Sequence, residues 1–196
     1  MSFEHRKRIY NTLDGFFHDL FLLGANGFAY IRNARNATVS DALREKLMVA
    51  VSGVLACKYC TWLHSEMALT HGVKSAEIQK LLSQEMGYFP EDEAVALAFA
   101  QHYSESGGCP REEAEKRLYD YYGKKKAQYI LSYLQIIYFG NLAGNTVDAF
   151  LDRLKGSPAE GSDPGNEIII FLLLAPYYLA MLPVLAYLLG RLNSRQ

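Results

Sequence analysis

Two thiols, Cys57 and Cys60, stand three residues apart, and His64 follows four residues after the second and seven after the first. On a helix these offsets place all three side chains on one face. Three residues is close to one helical turn, so the two sulfurs can form a disulfide at a helix start. A helix N-terminus also offers partial positive charge and free amide groups, which favour thiolate over thiol, and Lys58 adds a positive charge beside them. An imidazole titrates near neutral pH and is suited to taking a proton from a cysteine. Taken alone, the Cys-x-x-Cys spacing also begins zinc sites, and a solitary histidine is commonly a core residue satisfied by a carbonyl. The base stacked beneath two thiols favours reversible redox chemistry.

Glu45 is the third kind of group in this constellation. Met48, Val49, Ser52 and Ala56 share its helical face at offsets of three, four, seven and eleven, so the carboxylate lies along an otherwise apolar stripe. A charge buried there requires a dedicated partner or an elevated pKa, and His64 is a candidate partner. Its place near a helix start supports a second reading, in which it is solvated and interacts with the helix dipole. Periodicity does not choose between the two.

The elements that must position these residues are helical throughout. Ile9, Leu13, Phe16, Phe17, Leu20 and Phe21 repeat at helical spacing, and Gly24 is expected to end that helix. Ser40 can cap a second helix through DALREKLMVAVSGVLA, and the absence of charge from Val49 to Cys57 implies burial on all sides. A third helix is expected from about Cys57 to His71-Gly72, and a fourth restarts at Ser75. Pro90 followed by three acids opens a fifth, ending before Gly107-Gly108. Pro110 opens a sixth that Gly123 closes, and a long helix follows from about Lys124 to Leu154, weakened at Gly140 and Gly144. No alternating strand pattern of useful length occurs. The fold class is therefore all-α.

Residues 156–167, rich in Gly, Pro and Ser, read as a linker between a helical domain at 1–155 and a hydrophobic tail at 168–196. From Ile168 to Gly190 no residue is charged, a length that meets the roughly 20 residues needed to cross a bilayer. Pro176 and Pro183 argue instead for a kinked or broken pair of short helices. The tail must be covered, either by a bilayer or by an oligomer interface, and it is expected to be separable from the thiol chemistry.

The rest of the composition mainly excludes. Twenty basic residues nearly balance 21 acidic ones, which disfavours a nucleic-acid partner, and Lys124 to Lys126 are too few charges to reverse that. The N-terminal residues lack the apolar run of a secretory signal, so a cytoplasmic location is expected. Three cysteines are too few for a disulfide scaffold, and in a reducing compartment a close pair points to redox or metal chemistry. Cys109 falls in an expected loop and His71 beside a helix stop. His102 and the tyrosines at 119, 121, 122, 129, 133 and 138 read as packing residues.

Over residues 40–82 the sequence resembles the alkylhydroperoxidase D and carboxymuconolactone decarboxylase family. The string that carries the resemblance is Glu45, Cys57-x-Tyr-Cys60, His64, Gly72 and the Ser75-Ala-Glu-Ile restart. The redox branch of that family places its glutamate twelve residues before the first cysteine and its histidine four after the second, and both offsets hold here. The resemblance implies an alkylhydroperoxidase D-like helical bundle that assembles as trimers or hexamers. It also implies a thiol-dependent peroxidase or disulfide oxidoreductase that uses no cofactor and no metal. Cys60 would then be the peroxide-attacking thiolate, activated by His64, with Glu45 orienting the histidine and Cys57 resolving. A dithiol reductant, protein or lipoyl in type, would restore both thiols. Some members carry a histidine just before the second cysteine, and Tyr59 stands there instead, so a relay role at that position is lost. Decarboxylation of a lactone, the namesake reaction, makes no use of a dithiol. A non-enzymatic alternative is a zinc-binding or redox-sensing interaction protein, and zinc would need a fourth ligand from Cys109 or His71.

Overall fold

In a computed structural model the chain is described over residues 7–36 and 38–193, and a few side chains in the first and last helices lie outside that description. Seven helices account for it: α1 (Leu13–Asn36), α2 (Asp41–Leu55), α3 (Lys58–Thr70), α4 (Ser75–Leu82), α5 (Glu91–Glu105), α6 (Glu112–Leu154) and α7 (Pro164–Asn193). A single 3-10 turn, Met86–Tyr88, joins α4 to α5. There is no strand among the described residues, and the fold is all-α.

α2 is the central helix, packed by α3, α4, α5 and α6. Leu47, Val49, Ala50, Val51 and Leu55 are completely buried, as the uncharged run predicts. Ser40 caps the helix, its side chain accepting from the Leu43 amide at 3.2 Å. The one lysine on α2 is also buried. Lys46 sits between Glu77 of α4 and Glu93 of α5, at 2.6 and 2.7 Å, and so cross-links three helices through a charge that burial alone would discourage. Pro90 starts α5 as expected. Gly123, at φ 71°, breaks α6 where one helix was expected to close and another to begin.

Four expectations are corrected. The first helix begins at Leu13, not near Ile9. Thr12 caps it, accepting from the Gly15 amide at 3.2 Å, and residues 7–12 are non-helical and bond to the C-terminal end of α2 and to α6. There the Arg8 amide donates to the Leu55 carbonyl, and the Asn145 side-chain amide reaches both the Arg8 and Leu55 carbonyls at 2.8 and 2.9 Å. Gly24 does not end α1. It costs about 1 kcal/mol against alanine, and packing of α1 on α6 and α7 outweighs that. α7 is not broken at Pro176 or Pro183. Each proline removes the donor to the carbonyl four residues earlier, yet Leu172 and Leu179, which own those carbonyls, lie on the exposed face with the prolines, where water can supply the missing bond.

The fourth correction concerns the tail, which is docked rather than tethered. The last residues of the expected linker, from Pro164, form the first turn of α7. Glu167, fully buried, accepts from Arg153 Nε at 2.6 Å, and Arg153 Nη2 also donates to Ser162 Oγ at 2.6 Å. Phe171 packs on Phe150 with ring centroids 4.7 Å apart, and Ile170 and Leu174 are buried. No described helix is long and apolar enough to cross a membrane. Residues 1–6 of the expected domain and 194–196 of the expected tail lie outside the described residues.

Candidate active site

Ala56, in the left-handed conformation (φ 54°), is the single residue that turns the chain from α2 into the next helix. Its amide and that of Cys57 both return to the Ser52 carbonyl. Cys57 thereby becomes the N-cap of α3, with its sulfur accepting from the Cys60 amide at 3.4 Å. The two free thiols face each other with sulfurs 2.9 Å apart. A disulfide bond of about 2.05 Å needs only a small side-chain adjustment from there.

The environment of the pair is asymmetric. Cys57 is 1% exposed, whereas Cys60 is partly open. The hydrogen bond from Cys60 lowers the Cys57 thiol to about 7, with backbone amides at the helix start helping and burial opposing. The same contact, reinforced by burial, pushes Cys60 far above its ordinary value. The pair thus holds one proton near neutral pH, and these ionisations belong to the pair rather than to either residue alone.

Lys58 contributes less than its position suggests. Its ammonium lies 3.2 Å from Asp148 on α6, which also pairs with Lys7, so its charge is matched locally. Burial would raise the Asp148 carboxyl, but the two lysines together hold it below its ordinary value.

Glu45 is 1% exposed and has the dedicated partner that burial demands, because His64 Nδ1 lies 2.8 Å from its Oε2. Arg44 was not anticipated from the sequence. Its Nε and Nη2 both lie 2.8 Å from the other carboxylate oxygen, Oε1. Burial pushes the Glu45 carboxyl up, but His64 and Arg44 outweigh it and hold the group below the usual carboxylate range. An ionised carboxylate only accepts, so Nδ1 is the donor, and in the neutral imidazole Nε2 keeps its lone pair for another proton. Among the described residues no hydrogen bond joins His64 directly to either thiol. Catalytic contacts of this kind commonly tighten when substrate binds.

The remaining sequence candidates stay apart from this centre. Cys109 is exposed. His71 Nδ1 is 3.9 Å from Asp41, and His102 Nε2 accepts from the Arg111 amide at 3.1 Å, tying the end of α5 to the start of α6. Tyr129, Tyr133 and Tyr138 are core residues, whereas Tyr121 is exposed. Among the described residues no group of three His, Cys, Asp or Glu side chains is placed to hold a metal ion.

Residues 23–102 match the sequence profile of the carboxymuconolactone decarboxylase family, and the resemblance carried by Glu45, Cys57, Cys60 and His64 falls inside that segment. The chain has no significant match among curated proteins or solved structures.

Proposed function

We propose that this protein is a thiol-dependent peroxidase or disulfide oxidoreductase working through Cys57 and Cys60. The observation that carries this reading is the pair of free sulfurs 2.9 Å apart at the start of α3, beside a buried carboxylate–imidazole pair. Cys60 is the attacking sulfur because it is the more open of the two. The proton it shares with Cys57 moves to Cys57, leaving Cys60 as thiolate. That thiolate attacks the terminal oxygen of the peroxide, the O–O bond breaks, and the departing alkoxide takes the proton from Cys57. The Cys57 thiolate then displaces hydroxide from the Cys60 sulfenic acid, forming the disulfide, and the hydroxide leaves as water with a proton from solvent that His64 Nε2 picks up and passes on. A small dithiol, protein or lipoyl in type, returns both thiols.

An organic peroxide suits an apolar space that neither cysteine lines but that Tyr178 connects to the neighbourhood of Cys57. An apolar cavity of about 460 Å³ lies between α1, α6 and α7, with Phe16, Phe139, Ala143, Leu174 and Tyr178 in its wall. Activity and partners are tested together by measuring cumene hydroperoxide consumption with dihydrolipoamide as reductant. Cys60→Ser is expected to abolish consumption, whereas Cys57→Ser should permit one oxidation without turnover. Turnover retained in both variants would overturn the dithiol mechanism, and a wild type that consumes no peroxide would return the namesake lyase chemistry to consideration.

A further inference from the structure

The segment matched to the family ends at residue 102, yet α6 and α7 reach the dithiol from outside it. Gly144, on α6, is the point of contact. A methyl group placed on it would meet the Cys57 sulfur at 3.8 Å and the Tyr178 hydroxyl oxygen at 3.9 Å. A thiol from α3 and a phenol from α7 therefore face the same small space, which exists because residue 144 has no side chain. Tyr178 is half-buried, and among the described residues its hydroxyl makes no hydrogen bond, which leaves it free to donate into this space.

We propose that Tyr178 is a member of the dithiol site, its hydroxyl donating a hydrogen bond to an oxygen held in the space beside Gly144, which in turn solvates the Cys57 thiolate. In the resting reduced protein that oxygen belongs to a water. On the peroxidase reading, on which the catalytic part of this inference rests, an oxygen of the bound peroxide takes its place. Burial and the neighbouring cysteines push the Tyr178 phenol up to about 12, so it stays protonated at neutral pH and can only donate toward a thiolate. The same side chain is in the wall of the apolar cavity, so it borders both that cavity and the space beside Cys57. On this proposal the tail is part of the site, and its removal would alter the dithiol chemistry that it was expected to leave intact.

The test compares full-length reduced protein with Tyr178→Phe, Gly144→Ala and the double variant, reading the pH dependence of iodoacetamide alkylation. Tyr178→Phe removes the donor and is expected to shift the midpoint to higher pH, with a several-fold lower alkylation rate at pH 7. Gly144→Ala puts a methyl group where the oxygen sits and should shift the midpoint the same way. Its contacts are at ordinary van der Waals distance, and alanine is the better helix former, so it should fold even if the tyrosine variant does not. Because both changes remove one bridge, the double variant should shift no further than the larger single effect. An unchanged midpoint in Gly144→Ala, or shifts that simply add, would overturn the proposal. Failure of the wild type to consume peroxide would overturn the peroxidase reading alone, since alkylation needs no peroxide.

Discussion

At the scale of single residues, the site turns on which sulfur holds the charge. With Cys57 lowered to about 7 and Cys60 raised, alkylation should proceed in two separated steps, one thiol reacting around pH 7 and the other resisting well above pH 9. The same asymmetry acts on stability. Between about pH 7 and the ordinary thiol value of 9.0, the native state carries thiolate where the unfolded chain carries thiol. Reduced protein should therefore gain stability relative to Cys57→Ser as pH rises through that window and lose the advantage as pH falls toward 7; a difference that is flat with pH would contradict the assignment. Above the window the raised Cys60 works in the opposite direction. Glu45→Gln leaves Arg44 with a poorer acceptor and is expected to cost about 3 kcal/mol, read by urea unfolding, and to move alkylation to higher pH less than His64→Ala does. The spacing of Cys57, Cys60, His64 and Glu45 was legible in the sequence because all four lie on two consecutive helices whose faces can be counted. Arg44 was not, because neighbours along a helix point apart and nothing in the pattern shows a long side chain curling back. Tyr178 was out of reach for a different reason, since its relation to Cys57 is purely tertiary.

At the scale of elements, local signals marked helix ends well wherever a side chain or a turn does the marking. Ser40, Pro90 and Gly123 mark boundaries as read, since capping, proline geometry and positive φ are decided within a few residues. Gly24, Pro176 and Pro183 misled because their cost is about 1 to 3 kcal/mol, an amount that helix packing and exposed, water-accessible carbonyls can absorb. The docking of α7 depends on a contact no periodicity shows, the Arg153–Glu167 pair across the 156–163 connection. Glu167→Ala leaves Arg153 without its carboxylate partner and exposes that connection. Limited proteolysis should then cut between residues 156 and 163 several-fold faster than in the wild type, and an unchanged rate would mean that apolar packing alone holds α7.

At the scale of the whole molecule, apolar surface remains unaccounted for. Phe17, Leu20, Phe21, Phe28 and Ile31 on α1 are exposed, as are Ile168, Leu172, Tyr177, Leu179 and Leu182 on α7. The two helices contact each other, and exposed apolar side chains in this number on neighbouring helices favour association. The expected outcome is a homo-oligomer that forms through α1 and α7, checked by sedimentation of the full chain beside a Phe21→Glu, Leu172→Glu variant. Co-sedimentation with vesicles in place of self-association would assign the same surface to lipid. Composition signalled the uncharged stretch, but its partial burial against α6 and its shared exposure with α1 emerge only once the helices are assembled.

The one-residue joint at Ala56 sets this protein against its own robustness. An alanine held at φ 54° is strained, and Ala56→Gly should relieve that strain and raise stability by about 1 kcal/mol, some 2 to 4 °C in Tm for a chain of this size. The stiffness that would be lost is what keeps the two sulfurs in register. Expressed as an effective molarity of one thiol for the other, measured by equilibrating the protein with glutathione, the glycine variant should fall several-fold below the wild type. A sturdier molecule would then close its disulfide less readily, and the left-handed alanine marks where this chain gives up stability for reactivity.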